Sequence, residues 1–222
     1  MPDGRPDPGA GQRARPGWVA VLAVGLAVLA GAAVWAAFTG VGPARFDGAA
    51  LDESLEERTP TLTALAIVIT TLGSTVAMAI LAVVVGAWCW WRGRRADAVL
   101  AVGAMAGASL VFRLLKALLA RDRPPVADHL VVETNESLPS GHATMSIVVV
   151  GTIVVLAWAG RSTLGRAAMV VVAAAWIGAV GATRVYLGVH WISDVLAGWA
   201  VGAAWLALCV TVWARWRARI PA

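Results

Sequence analysis

Residues 98–119 read AVLAVGAMAGASLVFRLLKALL. This is an apolar run about as long as the ~20 residues a helix needs to cross a bilayer. A basic turn, Arg92-Gly93-Arg94-Arg95, precedes it, and a polar loop from Arg121 to Pro139 follows, with Pro124-Pro125 stopping any helix. Arg113 and Lys116 interrupt its last third. Charges at such depth are costly and commonly face a polar interior. Arg113 reads as a side chain snorkelling to the interface. Lys116 is different: it is the chain's single lysine, and Arg123-Pro124 follows a short step later.

Working outward from this run, comparable segments appear at 18–38, 63–91, 145–158, 167–182 and 192–213, the fourth starting at Ser140 or Gly141. The expected fold is therefore all-α, a polytopic membrane bundle of six transmembrane helices. The chain of 222 residues is 59% apolar and 14% charged. A soluble domain would carry roughly 25% charged residues. One membrane domain at 17–216 is expected, between a disordered cytoplasmic tail at 1–16 and a cytoplasmic tail at 217–222. The first run exceeds a signal peptide's apolar core and reads as an uncleaved anchor. Residues 51–58 read equally as solvated loop or short interfacial helix.

Arginines crowd the N-terminal tail, the 92–95 and 161–166 turns and the C-terminal tail, where the only acidic residues are Asp3, Asp7 and Asp97. The positive-inside rule then places both termini in the cytoplasm and the 40–60, 121–139 and 184–191 connectors outside. The net charge of +5 follows from this sorting, so no nucleic-acid partner is expected. Cys89 and Cys209 read as packing residues in apolar runs. Of the remaining polar loop residues, His129, Asp122, Asp128, Glu133 and Glu136 read as solvated side chains.

Three polar clusters thus fall at one membrane face. Lys116, Arg123 and Arg184 are cations that call for an anion, and phosphate is the one Arg forks and Lys point charges most often hold. Pro139-Ser140-Gly141-His142 opens a helix: Ser140 can cap it, Gly141 lets backbone approach a ligand, and the free N–H groups favour an anion. His190 and Asp194, four apart, share one helix face, so the carboxylate can orient the imidazole and leave Nε2 free as base or nucleophile. Two other readings compete. A serine hydrolase would use Ser140, His190 and Asp194 but leaves the three cations without a task. A non-enzymatic transporter or head-group-binding protein has no need of paired histidines.

Lys116-x6-Arg123-Pro124, then Pro139-Ser140-Gly141-His142, then Arg184-x5-His190-x3-Asp194 resembles the three-part signature of the type 2 phosphatidic acid phosphatase superfamily, which includes vanadium haloperoxidases. The resemblance covers roughly residues 98–210, with Thr183 where serine is commoner before the arginine. It implies catalytic His190, His142 and Asp194, with His190 as the nucleophile, His142 as leaving-group acid and Asp194 orienting. Lys116, Arg123, Ser140, Gly141 and Arg184 would bind the phosphate, with no metal and no cofactor. The implied partner is a lipid phosphate in the bilayer: a polyprenyl diphosphate, phosphatidylglycerol phosphate or phosphatidic acid. The implied location is the cytoplasmic membrane, with the site on its extracytoplasmic side.

Overall fold

The computed structural model describes residues 17–219; the expected tail at 1–16 and residues 220–222 lie outside it. Among the described residues all regular structure is helical: α1 (Gly17–Thr39), α2 (Asp47–Glu56), α3 (Pro60–Leu72), α4 (Thr75–Trp91), α5 (Arg95–Leu119), α6 (Gly141–Ala157), α7 (Thr163–Tyr186) and α8 (Ile192–Arg217), with 3₁₀ turns at Gly42–Phe46 and Val126–Asp128. Four of these are long and apolar enough to cross a membrane, and a fifth span counts if the bent pair α3–α4 is taken as one. The remaining expected segment, the fourth in chain order, is α6, an apolar helix of 17 residues.

Helix boundaries follow local chemistry. Thr59, Ser74 and Ser162 each accept a backbone N–H from the first turn of α3, α4 and α7, a cap that contributes ~1 kcal/mol. The single span expected at 63–91 is broken by the Ser74 cap, and the two halves meet at 45°. Gly73 sits at this break because Val180 of α7 fills the space its side chain would need; a Cβ there would lie 2.5 Å from Val180 Cγ2. Of the 51–58 stretch, residues 51–56 are helical, in a helix that starts earlier, at Asp47, and buries Leu51.

The core lies among α4, α5, α6 and α8, where Met78, Leu100, Phe112, Met145 and Val148 pack together. Ala101, Ala104 and Ala108 form a buried small-residue stripe on α5, which lets neighbouring helices approach closely. At one end of the bundle, buried Asp97 accepts from Arg94 Nε at 2.6 Å and Trp213 Nε1 at 3.0 Å, joining α5 to α8. Arg92 and Arg94 stack on Trp88, Arg95 on Trp90, Arg166 on Trp158 and Arg217 on Trp213 at the same end. This arginine–tryptophan belt has the chemistry of a membrane interface.

The opposite end carries the polar connectors. Here α6 and α8 meet backbone to backbone. A Cβ on Gly198 would lie 2.7 Å from Ser140 O, and one on Gly202 2.8 Å from Thr144 O. This approach lets Ser140 N donate to Asp194 O at 3.0 Å, which sets the start of α6 against the start of α8.

Candidate active site

All eight singled-out residues lie at this end of the bundle. Asp194, in the first turn of α8, accepts at Oδ2 from Trp191 N at 3.0 Å, capping the helix, and from His190 Nδ1 at 3.3 Å. The opposite nitrogen, His190 Nε2, lies 3.3 Å from Arg123 Nη1. A guanidinium only donates, so the contact leaves Nε2 as the acceptor and Nδ1 as the N–H that Asp194 receives. Burial pushes the His190 pKa well below the usual histidine range, and Arg123, Arg184, Lys116 and Arg121 push it further. The imidazole is therefore neutral, with a lone pair on Nε2, at and well below neutral pH.

The cations arrive from three elements. Lys116 ends α5 buried, its Nζ donating to Glu136 O and, at 3.2 Å, to Ser137 O. Arg123 is clamped by its own loop and by the α7–α8 connector: Nε donates to Asn135 O and Nη2 to Asn135 Oδ1, both at 2.6 Å, while Nη1 donates to Val189 O. Arg184, 1% exposed on α7, donates from Nη1 to Thr70 Oγ1 at 2.7 Å. Among the described residues its buried Nε has no partner, an unusual state for a buried donor.

Ser140 caps α6, accepting from Ala143 N at 3.5 Å, and Gly141 is buried against Phe112. A Ser140–His190 hydrogen bond does not form among the described residues, because Ser140 Oγ serves the cap and His190 Nε2 faces Arg123. His142 is half-buried in the first turn of α6, within electrostatic reach of Arg184, His190, Arg123 and Lys116.

Three further residues join the cluster. Glu133, read from sequence as a solvated loop side chain, accepts from Arg184 Nη2 and lies 3.6 Å from Arg123 Nη2. Arg121 donates from Nη1 to Asp194 Oδ1, and from Nη2 to Asp47 Oδ2 at 2.7 Å. Asp47, the first residue of α2, also accepts from Ser193 N at 2.9 Å. His129, also read as solvated, instead folds back to within 3.0 Å of Pro124 O.

The loop is fastened over this cluster. Arg58 donates from Nη2 to Asp128 O at 2.8 Å and to Tyr186 O at 2.9 Å, and Leu130 N donates to Leu187 O at 3.0 Å. Gly188 has φ +73°, and a Cβ there would lie 2.3 Å from Asp128 O, so only glycine lets the loop sit this close.

The family model of the PAP2 superfamily matches residues 97–218. Phosphatidylglycerophosphatase B of Bacillus subtilis (strain 168) is 33% identical over 136 residues, which span 60% of this chain and 66% of that protein. The chain thus spans just under two thirds of that relative's length. Among solved structures, the transmembrane PAP2 type phosphatidylglycerolphosphate phosphatase from Bacillus subtilis aligns over 90% of this chain and 97% of its own, with TM-score 0.77 and 27% identity. Aquifex aeolicus LpxE, at 18% identity and TM-score 0.56 over 72% of this chain and 92% of its own, shares the fold.

Proposed function

Because the chain belongs to the PAP2 superfamily and is an integral membrane protein, we propose that it is a membrane phosphatase. In this reading it removes a terminal phosphate from lipid phosphates or diphosphates at the extracytoplasmic face. The observation that carries the reading is the oriented pair His190–Asp194, with Nε2 aimed into a cluster of fixed cations.

His190 Nε2 attacks phosphorus, the bond to the lipid oxygen breaks, and His142 gives that oxygen its proton. A bound phosphate's negative charge favours the protonated His142 this step needs. Water then attacks the phosphohistidine, His142 takes the water's proton, and the P–N bond breaks to release inorganic phosphate. Asp194 holds the tautomer and offsets the charge on the imidazole. Lys116, Arg123 and Arg184, with the N–H groups opening α6, stabilise the non-bridging oxygens, where charge develops. These cations supply the stabilisation, so the step is assigned no metal ion.

The lipid reading draws on an apolar groove of about 470 Å³ between α1, α5 and α8. It is lined by residues such as Ala27, Val34, Leu115, Ala204 and Leu208, and Leu115 adjoins Lys116. We assign the groove to the substrate's hydrocarbon tail. Among head groups, phosphatidylglycerol phosphate is favoured by the activities for which the Bacillus relatives are named; polyprenyl diphosphate and phosphatidic acid are the other candidates. The non-enzymatic reading has no use for an imidazole held as a nucleophile.

In the proposed topology α3–α4 counts as one bent span and α6 as a short one, which makes six with both termini cytoplasmic. Phosphate release from the candidate lipids, by wild type and His190→Ala in detergent with chelator, tests the activity. Loss in the variant with chelator-resistant wild type supports it, and full activity of the variant contradicts it. Val132→Cys, at a residue 90% exposed, should react with an impermeant thiol reagent in intact cells, and Arg161→Cys should not. The reverse pattern would invert the topology.

A further inference from the structure

The reaction above uses one oxygen of Asp194. The other, Oδ1, is held by Arg121, a residue the phosphate-binding assignment leaves without a task. Asp194 is fully buried. A buried carboxylate with no counter-charge is strongly disfavoured, and it would escape by taking a proton or turning away. Either escape releases His190 Nδ1. Arg121 supplies the counter-charge, and its planar fork reaches a second carboxylate with its other nitrogen, Asp47 Oδ2 at 2.7 Å.

Asp47 is itself locked to the start of α8. Its Oδ1 accepts from Ser193 N at 2.9 Å and its Oδ2 from Ser193 Oγ at 2.6 Å, while Arg121 Nη1 lies 2.9 Å from the same Ser193 Oγ. The fork can therefore neither swing toward the cationic cluster nor out to water without breaking several hydrogen bonds. Arg121 and Arg123, two residues apart, take opposite ends of one assembly: Arg121 meets Asp194 Oδ1, and Arg123 meets His190 Nε2.

We infer that Arg121 and Asp47 form a positioning pair that keeps Asp194 ionised and oriented and, through it, sets the tautomer and aim of His190. Asp47 lies outside the stretch that matches the family model. The connector between α1 and α3 is thereby wired into the chemistry. The inference rests on the reading of His190 as nucleophile.

The experiment uses the full chain in detergent micelles with a short-chain lipid phosphate monoester. It compares wild type, Arg121→Met, Arg121→Lys, Asp47→Asn, the double variant Arg121→Met/Asp47→Asn, and His190→Ala. It reads kcat, KM, the competitive inhibition constant of inorganic phosphate, and the His190 titration by NMR of labelled histidine. Arg121→Met should lower kcat roughly 10–100-fold, the range for outer-shell partners, with KM and the phosphate constant within about twofold. Arg121→Lys should regain part of the loss. Asp47→Asn should lower kcat by a smaller factor. The double variant should be no worse than Arg121→Met, because coupled groups do not add.

The titratable and charged groups acting on His190 are Lys116 from α5, Arg121 and Arg123 from the loop, His142 from α6, Arg184 from α7 and Asp194 from α8. Arg121→Met should change the His190 titration, because Asp194 loses its counter-charge and its hold on Nδ1, and Asp47→Asn, which keeps the Arg121 charge, should change it less. Unchanged kcat in Arg121→Met, or a raised KM and phosphate constant at unchanged kcat, would overturn the pair and make Arg121 inert or a substrate ligand. Multiplying losses in the double variant would overturn the coupling. If Arg121→Met is not recovered folded, full kcat in both Arg121→Lys and Asp47→Asn decides against the inference. Full activity of His190→Ala would instead sink the nucleophile reading beneath it.

Discussion

Glu133 accepts a hydrogen bond from Arg184 Nη2, so a loop carboxylate is bound to the most deeply buried cation of the site. Its second oxygen lies 3.6 Å from Arg123. It therefore spans the two guanidiniums assigned to phosphate oxygens. A substrate phosphate held by both guanidiniums must displace this carboxylate. Glu133→Gln keeps the shape and removes the charge, so it should lower KM and the inhibition constant of inorganic phosphate by the same factor, about 3–10-fold, because the competent fraction of sites rises. Steady-state kinetics with phosphate as inhibitor checks this, and unchanged constants would show that the carboxylate does not compete.

His190 should titrate low. Its pKa is depressed first by burial and then by Arg123, Arg184, Lys116 and Arg121, so the neutral, nucleophilic form persists as pH falls below ~6.5, the ordinary histidine value. NMR titration of labelled histidine, assigned with His190→Gln, should give a midpoint below that value. Arg123→Gln removes the nearest cation and should move the midpoint upward. A midpoint at or above the ordinary value in wild type would mean that His190 is hydrated or paired differently.

The tail groove makes a separable prediction. Ala204→Phe fills space between α1, α5 and α8 far from the phosphate contacts. KM should rise roughly tenfold for a long-chain lipid phosphate, the order expected for a change in apolar pocket fit, and stay within about twofold for a short-chain analogue. Equal effects on both would place the tail elsewhere.

Much of the bundle was legible in the apolar runs, because a bilayer demands long uninterrupted helices with polar breaks between them. The α3–α4 bend was not, since both halves are apolar. The local sign is Gly73-Ser74, and the side chain that requires glycine at the break, Val180, lies more than a hundred residues later. The site divides in the same way. Lys116, Arg123, Ser140, His142, Arg184, His190 and Asp194 stand out because their spacing places recognisable chemistry at helix ends. Asp47, Arg121 and Glu133 carry no such spacing. Asp47 meets Arg121 across 74 residues and Glu133 meets Arg184 across 51, and only the folded connectors bring them together.

A chelator should leave catalysis intact, because the charge that stabilises the transition state is assigned to Lys116, Arg123 and Arg184. Excess EDTA in the detergent assay should change kcat by less than about twofold. A loss restored by a divalent ion would require a metal in the reacting complex.

The central claim is that the phosphoryl group passes through His190, and rapid quenching tests it most directly. Wild type and His142→Ala are mixed with a lipid phosphate monoester carrying labelled phosphate, quenched in alkali within milliseconds, and digested. The account predicts an alkali-stable, acid-labile label on the peptide containing His190, formed in wild type, formed more slowly in His142→Ala and absent from His190→Ala. Label on Ser140, or continued turnover by His190→Ala, would contradict it.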